Sequence, residues 1–248
     1  MPDNMYIQHM KTALLYLLFC FIAVSVYGQD EEYENLFAIV FDPVAKKDLE
    51  AVHIKDWQYR RYLVGMKDAT RDSLAKAFKI KPAEVEDHLD RLQAVNDSAN
   101  LAVVARIIRT SDAYYPGKSL VGEPTHMVAL SVILHSNQKQ KYYPRVNQAF
   151  TMGELPQYSV AMLEDHILAE KGWPQNYGSH YTRVKMKDAA TNKIVIRYYI
   201  SPVKSPEHVN EMRKSKGFEN TIEEYARQAG VVYDPGLTVE KLKEMLVE

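Results

Sequence analysis

The chain predicts a mainly α fold, a single compact helical domain with one β-hairpin near residues 181–200. Three observations carry this. Helix-opening caps and prolines recur at Asp42-Pro43, Pro82, Pro124 and Pro156. Between them the apolar residues repeat at helical spacing. Only 181–186 and 194–200 switch to β-branched and aromatic residues, with turn-forming residues 188–192 between them.

Each element follows from its own signals. Asp42 caps a helix with Pro43 at its first position, expected to run towards Leu63. Pro82 opens a second, carrying Val85, Leu89, Leu92 and Val95 on one face. Asp97 is placed to cap a third, whose apolar residues include Leu101, Val104, Ile107 and Ile108. The helix expected over 125–135 is apolar around most of its circumference and should be central. Pro156 starts a helix that ends near Lys171, with Gly172 just past its end. After the hairpin, 206–215 is helical and stops at Gly217. Asn220 with Glu223 forms a capping box for a helix that stops at Gly230, and Thr238 caps the last one.

Residues 1–28 read as a secretory signal peptide whose n-region starts at Met10. Lys11 supplies the charge, 13–26 the apolar stretch, and Val26 and Gly28 stand at −3 and −1 of a cut before Gln29. The stretch is shorter than the roughly 20 residues of a spanning helix, so no transmembrane span is expected after cleavage. The expected location is therefore periplasmic or secreted, and the cut-site residues Val26-Tyr27-Gly28-Gln29 resemble those of Bacteroidota exported proteins. The one cysteine, Cys20, falls inside the signal, which leaves residues 29–248 as a cysteine-free domain. Disulfides, thiolate catalysis and cysteine-ligated zinc are excluded there. The formal net charge of −1 offers no basic surface for a phosphate backbone, so nucleic acid is not an expected partner.

Chemistry has few candidate carriers. On the helix from Pro156, Asp165 falls inside an apolar sector, among Tyr158, Ala161, Leu168 and Ala169. A carboxylate there is either an acid–base group or the orienter of a histidine, or else a buried cap for a neighbouring segment. His166 points about 100° away on the helical wheel. His135 ends the central helix on one face with Val128, Ser131 and Val132, and is either a base or a satisfied core histidine. The stretch Gln175-Asn176-Tyr177-Gly178-Ser179-His180 is dense in hydrogen-bonding side chains, and is either a binding loop or a structural turn. No His-Glu-x-x-His pair, Gly-x-Ser-x-Gly elbow or phosphate loop occurs, so no metal and no cofactor is expected.

In order and spacing these motifs resemble the bacterial domain of unknown function 6624 family over about 57–225. The matching segments are Gln58 and Arg61 in a Gln-x-x-Arg step, Asp97 and Asn100 in an Asp-x-x-Asn step, and Pro116 to Gly122. Then come His135-Ser136, Leu163-x-Asp165, Gln175-x-Tyr177-Gly178, and Asn210 to Tyr225. Trp57, His166 and His180 depart from the family pattern, which has Asp, Arg and Gln there. The resemblance implies no known activity. It singles out His135 and Asp165 as catalytic candidates, and Gln58, Arg61, Asn100, Gln175, Tyr177 and Gly178 as binding candidates; His180 joins the binding candidates from the polar loop itself.

Two functions fit these residues. One is a non-catalytic envelope binding or structural module, recognising an envelope ligand or protein through aromatics such as Tyr114, Tyr115, Tyr142 and Tyr143. The lack of a nucleophile or metal signature favours it. The alternative is a secreted or periplasmic hydrolase-like enzyme, with His135 and Asp165 in acid–base roles and no covalent nucleophile.

Overall fold

The computed structural model describes residues 39–112, 114–187, 192 and 194–245. The chain divides into two units, 1–40 and 41–248, and every element below lies in the second. The signal-peptide reading of 1–28 and most of the expected hairpin turn fall outside the described residues.

The fold is mainly α with one two-stranded antiparallel sheet. The elements are α1 (Pro43–Trp57), α2 (Asp68–Phe78), α3 (Val85–Thr110), α4 (Lys118–Val121), α5 (His126–His135), α6 (Lys139–Thr151), α7 (Tyr158–Glu170), β1 (Tyr181–Lys187), β2 (Ile194–Ile200), α8 (Val209–Ser215), α9 (Ile222–Ala229) and α10 (Val239–Met245). Among the described residues no helix is long and apolar enough to cross a membrane.

Local chemistry accounts for most boundaries. Asp42 accepts from the amides of Val44 and Ala45, as a cap before Pro43 should. The helix ends at Trp57 rather than Leu63, because the chain tightens into a 3-10 turn at Arg60–Tyr62. Asp97 caps nothing. It sits inside the 26-residue α3, which runs unbroken from Val85 to Thr110, and its carboxylate accepts from Arg60 and Gln93 side chains. The capping box of α9 lies one residue on from its expected place, between Thr221 and Glu224. Two helices, α2 and α6, lacked clear sequence signals. Only Ala75 is buried on α2, and α6 carries Pro144 in its second turn, a residue that ordinarily breaks helices.

The central position of α5 is clear from its neighbours: it packs against α1, α3, α4, α6 and α7. Its Leu130 and Ile133 are fully buried with Leu49 of α1 and Val104 of α3. A second core, Ile200, Val209, Ile222, Ala226 and Val231, lies under the hairpin. Strand pairing runs from Tyr181↔Ile200 to Lys187↔Ile194, which brings His180 and Ser201 together at the sheet's end. Tyr115 and Tyr142, named above as contact aromatics, are instead buried.

Candidate functional site

A cleft of about 530 Å³ opens between the end of α1, α5, α7 and the start of the hairpin. It holds three imidazoles, those of His135, His166 and His180.

His135 is oriented by a carboxylate from another helix. Its Nδ1 lies 2.9 Å from Oδ1 of Asp56, and Ser131 donates to the second oxygen of that carboxylate at 2.9 Å. A carboxylate only accepts, so Nδ1 carries the hydrogen, and whenever the ring is neutral Nε2 holds the lone pair. Asp56 is 1 % exposed and completes the buried stripe Ala45, Leu49, Val52, Asp56 of α1. Burial pushes its carboxyl up, but hydrogen bonds and charge from His135, with Arg60 and Ser131, outweigh this and hold it below the usual range.

Arg60 stands beside the pair. Its Nη2 lies 2.7 Å from Asp97 and 3.7 Å from Asp56. Gln93 holds the turn in place by accepting from the amides of Tyr59 and Arg60 while donating to Asp97. Asp56, Asp97 and His135 present ligand atoms within 4.8 Å of one another, a spacing a cation could bridge. The Arg60 guanidinium already contacts both carboxylates, so it stands where such a cation would sit.

The other two imidazoles are kept neutral. His166 and His180 meet edge to face with centroids 4.6 Å apart. Burial holds His166 well below the usual imidazole range and lowers His180 to about 4, with Lys139 adding to both. Nδ1 of His180 bonds Ser201 Oγ at 2.9 Å, which in turn bonds Thr182 Oγ1 at 2.7 Å. Ser201 does not line the cleft, and the hydroxyls of the cleft serines Ser131 and Ser179 are given to Asp56 and Asp165.

The polar loop is built by a different carboxylate. Asp165 is completely buried and accepts from the amides of Asn176, Tyr177 and Ser179 and from the Ser179 hydroxyl, at 2.8–3.2 Å. Burial pushes its carboxyl up, and those four donors oppose the shift. Gln175, also completely buried, accepts from the His180 amide and donates to the carbonyls of His180 and Ser201. Gly178 has φ +68°, and a Cβ there would overlap the Ile222 side chain. Arg213 donates to the Tyr177 carbonyl at 2.9 Å, and Tyr225 to that of Ser179 at 3.0 Å. The Tyr177 ring is 8 % exposed and stacks on Phe218, with burial raising its hydroxyl to about 12.

No family model, curated protein or solved structure matches this chain.

Of the residues singled out in the sequence, His135 and His180 line the cleft, as does His166. Asp165, Gln175, Tyr177 and Gly178 form the loop's scaffold behind it. Gln58 is exposed at the end of α1, bonded to Asn96 and Tyr59. Arg61 is exposed over the Tyr62 ring, while its neighbour Arg60 turns into the cleft. Asn100 is buried on α3, and its Nδ2 has no partner among the described residues. Sequence reasoning missed Asp56, Arg60 and Arg183. The signal for Asp56 was present, since an acid at spacing 4, 3, 4 after Ala45, Leu49 and Val52 falls inside an apolar sector as Asp165 does.

Proposed function

We propose that this chain is an exported, hydrolase-like acid–base enzyme without a covalent nucleophile, related to the family it resembles in sequence. The observation that carries the reading is the Asp56–His135 pair at the cleft wall. A buried carboxylate fixes the tautomer and stabilises the imidazolium that forms when Nε2 takes a proton. The nucleophile would be water. His135 removes one of its protons as the oxygen bonds to the substrate's carbonyl carbon. The bond to the leaving group then breaks, and the same proton passes from His135 to that group.

The test compares His135→Ala with the native protein on a panel of esters and amides. The expected result is loss of hydrolysis by about 10²–10⁴-fold in a protein that still unfolds cooperatively, with a melting temperature lowered because buried Asp56 loses a partner. Hydrolysis that survives in His135→Ala overturns the acid–base role. A native protein that turns over nothing in the panel returns the reading to a binding module.

A further inference from the structure

The cleft's charges and walls say what it accepts. It has two guanidinium groups, and both are spoken for: Arg60 by Asp97 and Asp56, Arg183 by Asp90 and Asp87. Asp87 also pairs with Lys185 at 3.0 Å. Among these side chains four carboxylates meet three cations, so a phosphate, sulfate or carboxylate entering the cleft finds no unbalanced positive charge. The partly buried imidazoles of His166 and His180 are held neutral and add none. An anion entering here meets carboxylates that already outnumber the cations, and taking a guanidinium for itself would leave one of those carboxylates unpaired.

The remaining surface is apolar or aromatic. Met127, Leu130 and Leu134 of α5 and Met162 of α7 line it, together with the edge-to-face rings of Tyr181 and Tyr198 from the hairpin. The volume is that of a small-molecule site, which ordinarily combines such walls with a few polar groups. Those groups include guanidinium donors whose charge is already balanced by carboxylates. The Nε hydrogens of Arg60 and Arg183 are buried and have no partner among the described residues. A carbonyl or hydroxyl oxygen that reached either one would be satisfied without breaking its ion pair.

We infer that the substrate of this site is an uncharged molecule with an apolar body, an ester or amide of a hydrophobic acid, and not a phosphorylated, sulfated or free-acid compound. This rests on the acid–base reading of the cleft but is tested through binding, which needs no turnover.

The probe is N-phenyl-1-naphthylamine, an uncharged fluorophore, titrated into the purified protein. Saturable fluorescence enhancement is expected, weakened at least tenfold in both Met162→Lys and Met127→Lys. These two variants come from different helices, and their melting curves separate a filled cleft from a misfolded protein. A neutral ethyl ester of a medium-chain acid should displace the probe, whereas its free acid and 4-nitrophenyl phosphate should not. Equal displacement by the anions, or probe binding insensitive to both lysines in folded protein, overturns the inference, as does no binding at all. Hydrolysis without neutral-probe binding would leave the acid–base reading standing and remove the substrate class. Probe binding without hydrolysis of any ester or amide would do the reverse.

Discussion

Asp165 and Asp56 are both buried aspartates on helices, each with its carboxylate turned into an otherwise apolar sector, and they have opposite surroundings. Asp165 is surrounded by donors of one loop: three backbone amides and the Ser179 hydroxyl. Those bonds use its lone pairs and leave nothing to move. Asp56 has three side-chain partners from two separate places: His135 and Ser131 on α5 and Arg60 beyond the end of α1. One of them, His135, is 22 % exposed on a cleft. A buried carboxylate facing backbone amides builds a loop, and one facing an imidazole that reaches solvent can support a reaction. The difference lies in the partners, which helical position alone does not reveal.

The sharpest way to break the comparison is to remove each carboxylate in turn. Asp165→Ala leaves three loop amides without acceptors in a dry interior, at about 1–3 kcal/mol each. The expected loss of stability is about 3–5 kcal/mol, read as a large fall in denaturant midpoint. A loss under about 1 kcal/mol would mean that the loop holds itself. Asp56→Asn keeps the shape and removes the charge. It should leave the melting temperature within a few degrees while lowering kcat about 10²–10⁴-fold, since the imidazole loses its orienter. If Asp56→Asn unfolds the protein and Asp165→Ala does not, the roles are exchanged.

Acid should discriminate next. The unfolded chain protonates His180 near the ordinary value of 6.5, and the folded protein resists until about 4. Between those values the unfolded state holds more protons, so stability falls as pH drops through this window and levels off below it. The shift corresponds to about 3 kcal/mol by pH 4, at about 1.4 kcal/mol for each unit. His166, also lowered by burial, adds to the same slope. Urea denaturation from pH 7 to 4 measures it. His180→Gln should flatten the acid limb, and an unchanged slope would place the His180 ring in contact with water.

The helices that the sequence announced most clearly were those with chemically obligatory ends: Asp42-Pro43, the Gly172 stop after α7, the Thr238 cap of α10. The hairpin was equally legible from its change of period. Where signals were ambiguous, packing decided. Asp97 reads as a cap in isolation, yet α3 continues through it because Arg60, 37 residues away, supplies its partner. The site followed the same pattern. His135 and His180 were legible as polar residues in conspicuous places, and the loop was legible as a cluster. That cluster is scaffold, because density of hydrogen-bonding side chains marks a segment that satisfies itself as readily as one that binds.

Adjacent arginines give the smallest effect and the finest discrimination. Arg60 and Arg61 lie in the same 3-10 turn, but Arg60 contacts Asp56 and Asp97 while Arg61 lies exposed on Tyr62. Arg61→Ala should change stability by no more than about 0.5 kcal/mol, as exposed positions do, and leave the cleft untouched. Arg60→Ala removes the cation shared by two carboxylates and should disturb probe binding and turnover together. The sequence motif points to Arg61 and the fold points to Arg60. Equal effects from the two would mean that the turn, and not the guanidinium in the cleft, is what the site requires.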